Sequence, residues 1–90
     1  EEAYRLGIAN KLCSPEELMD ITMNMAQTIA SKSMSTLKVA KKTIRAALET
    51  SLTDGVELEA IAFANLFDTE DKEIGVQAFL NRTEPEWVHK

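Results

Sequence analysis

Apolar residues recur along most of this chain at three- and four-residue spacing, the signature of helices with one covered face. Leu18, Ile21, Met25 and Ile29 form one stripe, and Leu37, Ala40, Ile44, Ala47 and Leu48 a second. A third stretch places Val56, Ala60, Phe63 and Phe67 on one face and leaves Leu58, Ala62 and Leu66 outside it. A helix apolar on two sides is usually buried on both, so its second face is expected to meet something outside this chain. A fourth stretch carries Ile74, Val76, Ala78, Phe79 and Leu80. Rough alternation is confined to residues 8–13, where IANKLC predicts a short extended piece.

Residues at the edges of these stretches agree with them. Ser14-Pro15-Glu16-Glu17 offers a serine N-cap, a proline at the first helical position and a glutamate at the third. That is a capping box, and it opens a helix to about Ala30. A break over residues 31–35 precedes the second helix. Ser51-Leu52-Thr53-Asp54 caps a third helix through about Phe67. Asp68-Thr69-Glu70-Asp71 caps a fourth to about Asn81, with acids well placed against the macrodipole. Residues 1–6 resemble the last turns of a helix stopped by Gly7 in a left-handed conformation. Gly75, inside the fourth helix, costs roughly 0.5–1 kcal/mol relative to alanine and predicts close approach of a backbone or ligand. Residues 82–90, with Pro85 and Trp87, read as an extended arm. The fold class is therefore all-α, with residues 1–13 a helix end and extended piece and 14–90 a helical region.

Ninety residues make one domain at most, with a core worth only ~3–5 kcal/mol unless something staples it. Cys13 is alone, so no intrachain disulfide is possible. One histidine (His89) and one cysteine cannot build a usual zinc site, and no metal is expected. A partner surface is then the leading route to stability. Fifteen acids against ten bases, a net charge of −5, argue against nucleic acid. No apolar run is long enough to span a membrane. The acidic start, Glu1-Glu2-Ala3-Tyr4, is unlike a signal peptide and has no initiator Met. It is read as a piece of a longer polypeptide, or a processed one, from an intracellular, reducing compartment.

Catalytic chemistry is hard to find. Nothing pairs His89, expected at a frayed end, with Cys13, expected to be a small buried apolar residue. Acid pairs at Glu16-Glu17 and Glu70-Asp71-Glu73 sit at helix starts, where the macrodipole already accounts for them. Lys38, Lys41, Lys42 and Arg45 form a basic stripe on the second helix. It suits an anion or acidic partner, or simply the wet side of an amphipathic helix. Met19, Met23, Met25 and Met34 are expected as core filler rather than a pliable groove. Taken alone, the residues describe a helical interaction module with no catalytic residue.

The order of segments resembles a known family. Glu2-Ala3-Tyr4-Arg5-Leu6-Gly7-Ile8-Ala9-Asn10-Lys11-Leu12 is similar to a passage of the enoyl-CoA hydratase/isomerase (crotonase) superfamily, and Ser14-Pro15-Glu16-Glu17-Leu18 follows at the family's spacing. Ala30-Ser31-Lys32-Ser33, then Ala40-Lys41 with Ile44, Ala46 and Ala47, resembles its next motif. Gly55, Glu59 and Phe63 fit "G…lE…F". Phe67-Asp68-Thr69-Glu70-Asp71, Gly75 and Ala78-Phe79-Leu80 fit its last helix. Three features depart from it. Ile74 replaces a glutamate, Thr83 an arginine, and Met34 a proline common at the start of the second helix.

The resemblance implies the C-terminal helical segment of such an enzyme, which packs subunits into trimers and often hexamers. The parent reaction it implies is hydration of 2-enoyl-CoA thioesters, with enoyl isomerisation the alternative. The catalytic glutamates and oxyanion-hole amides are implied to lie upstream, so the isolated chain is expected to be inactive. Coenzyme A enters as part of the substrate, and no other cofactor is implied. Position by position, Phe79 and Arg82 correspond to a coenzyme A rim beside a neighbouring subunit, and Phe63 to the acyl pocket. Arg82 as a solvated helix-end base and Phe79 as interface packing are the plainer readings. A non-enzymatic helical acyl-CoA-binding or interaction module is the rival, but the aromatic and lysine ligand runs of small acyl-CoA-binding proteins are absent. The compartment implied is the cytoplasm, or the mitochondrial matrix in a eukaryote.

Overall fold

The computed structural model describes residues 1–90 as helices and irregular connections, with no strand. The helices are α1 (Glu2–Arg5), α2 (Leu18–Ala30), α3 (Met34–Ala46), α4 (Leu52–Leu66) and α5 (Glu70–Asn81). The chain divides into two units, residues 1–31 and 32–90.

In the first unit, α1 ends at Gly7, whose φ of +80° is the left-handed stop the sequence predicts. Residues 8–14 are irregular and pair with no strand. The capping box at Ser14 forms: the Glu17 carboxylate accepts from the Ser14 backbone N–H at 3.4 Å and the Ser14 hydroxyl at 2.8 Å. It opens a short 3-10 turn, Pro15–Glu17, which leads into α2. The apolar stripe of α2 is present but uncovered: Leu18, Met25 and Ile29 are exposed, and no α2 residue is buried. Cys13 is half-buried rather than buried.

The second unit is built from capped helices. Ser33, Ser51 and Thr69 each accept a backbone N–H three residues on, from Thr36, Asp54 and Lys72. Helix α3 packs on α4. The packing inverts the expected faces of α4. Gly55, Ala62 and Leu66 are half-covered, whereas Val56, Phe63 and Phe67 lie open. Ala62 and Leu66 stand toward α3, lining one groove with Val39 and Thr43, while Gly55 is covered by Thr50. On α3, Leu37, Val39, Thr43 and Ala46 are half-buried. Ile44 is exposed, and Leu48 lies beyond the end of the helix, 86% exposed. All four methionines are exposed as well, so none fills a core.

The arm at 82–90 does not stand away from the fold. It turns back along α5, and the Trp87 ring takes the space beside Gly75. The visitor Gly75 admits is thus a side chain, not a backbone or a ligand. Ala78 is the only buried apolar residue in the chain.

Candidate functional site

Phe79 and Arg82 come together at the end of α5. Arg82 adopts the left-handed conformation (φ 54°, ψ 43°). The Thr83 N–H reaches the Ala78 carbonyl at 2.9 Å, and the Arg82 N–H reaches that of Phe79 at 3.3 Å. This is a Schellman reversal, with an arginine where glycine is usual. Both residues line one open depression of about 590 Å³, with Leu80, Thr83 and Glu84. Phe79 is 82% exposed, and Arg82 has no salt-bridge partner. A free guanidinium and an exposed ring lining one depression can pair with a phosphate and stack on a flat heterocycle. The Glu84 carboxylate on the same rim tempers the positive field.

Phe63 lies elsewhere. It lines an apolar groove of about 410 Å³ between α3 and α4, with Val39, Ile44, Ala62 and Leu66. Its ring meets Phe67 edge to face at 5.2 Å, and the Lys72 ammonium sits 5.5 Å from the centre of the Phe67 ring. The groove can take an aliphatic chain or the side chains of another helix. The three residues singled out from sequence therefore divide between two places, Phe79 with Arg82 and Phe63 apart. Lys38, Lys41, Lys42 and Arg45 are exposed and carry no ion pair.

The most enclosed polar group escaped the sequence reading. Asp71 is 2% exposed and Ser33 is 3% exposed. One carboxylate oxygen, Oδ2, accepts from the Ser33 and Ser35 hydroxyls, the latter at 3.3 Å. The other, Oδ1, accepts from the backbone N–H of Val88 at 2.8 Å and of His89 at 3.1 Å. Burial pushes the Asp71 carboxyl up, but these hydrogen bonds together outweigh it and hold the group below the ordinary 3.8. With every lone pair engaged by the fold, Asp71 is a joint between segments and not a proton carrier. His89 is tied down rather than frayed, because its Nδ1 accepts the Met34 N–H at 3.0 Å. A signal was available: Thr69 already caps α5, so a second acid in its first turn had no capping work left to do.

The comparisons place this arrangement among known proteins. A family model described as enoyl-CoA hydratase/isomerase matches residues 1–90. A probable mitochondrial enoyl-CoA hydratase of Dictyostelium discoideum is 35% identical over 99% of this chain and 32% of its own length. The crotonyl-CoA hydratase of Syntrophomonas wolfei is 31% identical over 100% of this chain and 35% of its own. In structure, a probable enoyl-CoA hydratase/isomerase from Mycobacterium abscessus superposes with a TM-score of 0.89 at 32% identity, over 99% of this chain and 35% of that one. The chain spans about a third of the length of the curated relatives it matches. No helix is long and apolar enough to cross a membrane. With the match running from the first residue to the last and the helices superposing throughout, the chain belongs to the enoyl-CoA hydratase/isomerase family.

Proposed function

We propose that this chain is the helical C-terminal part of an enoyl-CoA hydratase-like enzyme, where it supplies subunit association and part of the coenzyme A and acyl rim. The observation that carries the association role is the uncovered apolar surface. The chain exposes 7834 Å². A monomer of 10.0 kDa ordinarily exposes about 5,200 Å². In an enzyme about three times this length, that difference of about 2,600 Å² is covered jointly by the rest of the same subunit and by a neighbouring one. The open face of α4, with Val56, Phe63 and Phe67, is its best-defined part. A second copy of the chain, in a trimer or hexamer, is the partner that the resemblance supplies.

The parent reaction in this reading is addition of water to a 2-enoyl-CoA thioester. Amides polarise the carbonyl and glutamates move the proton and water, and these groups belong to other parts of the enzyme. Within these ninety residues, Arg82 and Phe79 hold the nucleotide end of coenzyme A at the rim of a neighbouring subunit. Phe63 borders the acyl tail. The catalytic residues in this chain are none, and it uses no metal or cofactor beyond the coenzyme A of its substrate. Its setting is the cytoplasm, or the mitochondrial matrix in a eukaryote.

Sedimentation velocity tests the association role, with assemblies expected at micromolar concentration. A folded, strictly monomeric chain would overturn it. The pure chain is also expected to leave crotonyl-CoA unhydrated, and turnover would show that the acids of catalysis lie within it.

A further inference from the structure

Residues 82–90 contain no helix or strand, yet they are fastened at several points. Val88 and His89 donate their amides to Asp71 Oδ1. The Asp71 N–H returns a bond to the Lys90 main-chain oxygen at 2.9 Å. The His89 imidazole accepts from the Met34 N–H at 3.0 Å, and Trp87 fills the space over Gly75. Met34 stands where a proline, having no N–H, would leave His89 without this donor. All of these attachments lie at or beyond Trp87, the hydrogen bonds at the starts of α3 and α5 and the Trp87 ring at the middle of α5. At its other end the segment leaves α5 through the Arg82 reversal.

Both ends of this segment are in an uncommon backbone state. Arg82 (φ 54°) and His89 (φ 63°) are the only residues other than glycine with positive φ. Side-chain-bearing residues hold that conformation when surrounding contacts impose it. At His89 the contacts include the bond to Asp71. At Arg82 the local ones are the helix-end bonds to the Ala78 and Phe79 carbonyls, with the tail beyond it held at Val88 and His89. Asp71 joins the Ser33 and Ser35 hydroxyls at the start of α3 to the returning tail. No second buried charge is present to take over its work.

We propose that residues 82–90 form a strap, latched to α5 by Asp71 and to the start of α3 by His89, and that the latch holds Arg82 in its left-handed turn beside Phe79. Released, the strap frees the turn, and the cation and the ring cease to be presented together. The device stands on these contacts alone and does not depend on what the Phe79–Arg82 depression binds.

Amide hydrogen exchange, read residue by residue by NMR on the full ninety-residue chain, tests this. In Asp71→Asn the Thr83, Val88 and His89 amides are expected to exchange more than about tenfold faster, the scale of charge-assisted hydrogen bonds, while α4 keeps its protection. Unchanged exchange at Thr83 would overturn the link between latch and turn. A rise shared by α4, or outright unfolding, would overturn it too, by showing that Asp71 holds the whole unit. His89→Ala keeps the carboxylate and tests the second fastening. It is expected to speed exchange at Met34 and Val88, and unchanged rates at both would remove His89 from the latch.

Discussion

Trp87 packs so closely on Gly75 that a Cβ at residue 75 would lie 3.0 Å from the indole Cη2 and 3.2 Å from Cζ3. Alanine there would gain the roughly 0.5–1 kcal/mol that glycine forfeits in a helix, but only if the ring gives way by a few tenths of an ångström. Gly75→Ala is therefore expected to change stability by less than about 1 kcal/mol while shifting Trp87 emission to the red. Trp87 is the only tryptophan, so the emission has one source. An unmoved spectrum would contradict the seating of the ring.

Acid should release the tail through Asp71. Burial favours the neutral carboxyl, but hydrogen bonds from Ser33, the Val88 and His89 amides and Ser35 hold the folded group below the ordinary 3.8. A lowered folded value means the carboxylate's contribution is complete above 3.8 and lost as pH falls through the lower folded value. In His89→Ala protein, where the imidazole plays no part, Trp87 emission should change only below pH 3.8. Adding Asp71→Asn should abolish that transition. A transition centred above 3.8 would be the contrary result.

Arg82 allows backbone and side chain to be separated. Arg82→Gly relieves a left-handed conformation worth about 1 kcal/mol and should raise the urea midpoint at constant m-value. Arg82→Ala should not. If the guanidinium meets the phosphates of coenzyme A, both variants weaken coenzyme A binding in calorimetric titration, whatever their stability.

Ser33 and Ser35 both donate to Asp71, but Ser33 also caps α3 by accepting the Thr36 N–H at 3.4 Å. Ser33→Ala should cost about 1–2 kcal/mol, the worth of a cap together with a buried hydrogen bond. Ser35→Ala should cost less than about 1 kcal/mol. Equal shifts in the urea midpoint would argue against the double role.

Phe63, 61% exposed on the open face of α4, is the place to disturb association. Phe63→Glu removes a side chain worth about 1.5–3 kcal/mol on full burial. The dissociation constant read by sedimentation should rise roughly 10- to 100-fold. The helical content in circular dichroism should stay unchanged, because Phe63 supports little within the chain itself.

Helix starts and stops were the most legible part of this fold. The Ser14 capping box, the Ser51 and Thr69 caps and the Gly7 stop all formed where the residues call for them. Each depends on a side chain reaching backbone within a few positions, so local order suffices to recognise it. The site was half legible. Phe79 and Arg82 share a depression because they stand three positions apart where α5 ends, whereas periodicity gave no sign that Phe63 lies apart. The arm is irregular as expected but not frayed at His89, since the bonds from Val88 and His89 to Asp71 cross 17 and 18 residues and no local pattern announces them.

The sequence by itself determined an all-α chain, the places where its helices begin and end, the absence of an intrachain disulfide, and an excess of apolar surface over what ninety residues can hide. Those are matters of short-range periodicity, capping and composition. Tertiary structure alone decided which face of α4 is covered: Ala62 and Leu66 line a groove with Val39 and Thr43 of α3, and Gly55 lies against Thr50. It alone made Asp71 the meeting point of α3, α5 and the tail. A buried carboxylate persists only where donors converge on it, and here they come from residues 33, 35, 88 and 89.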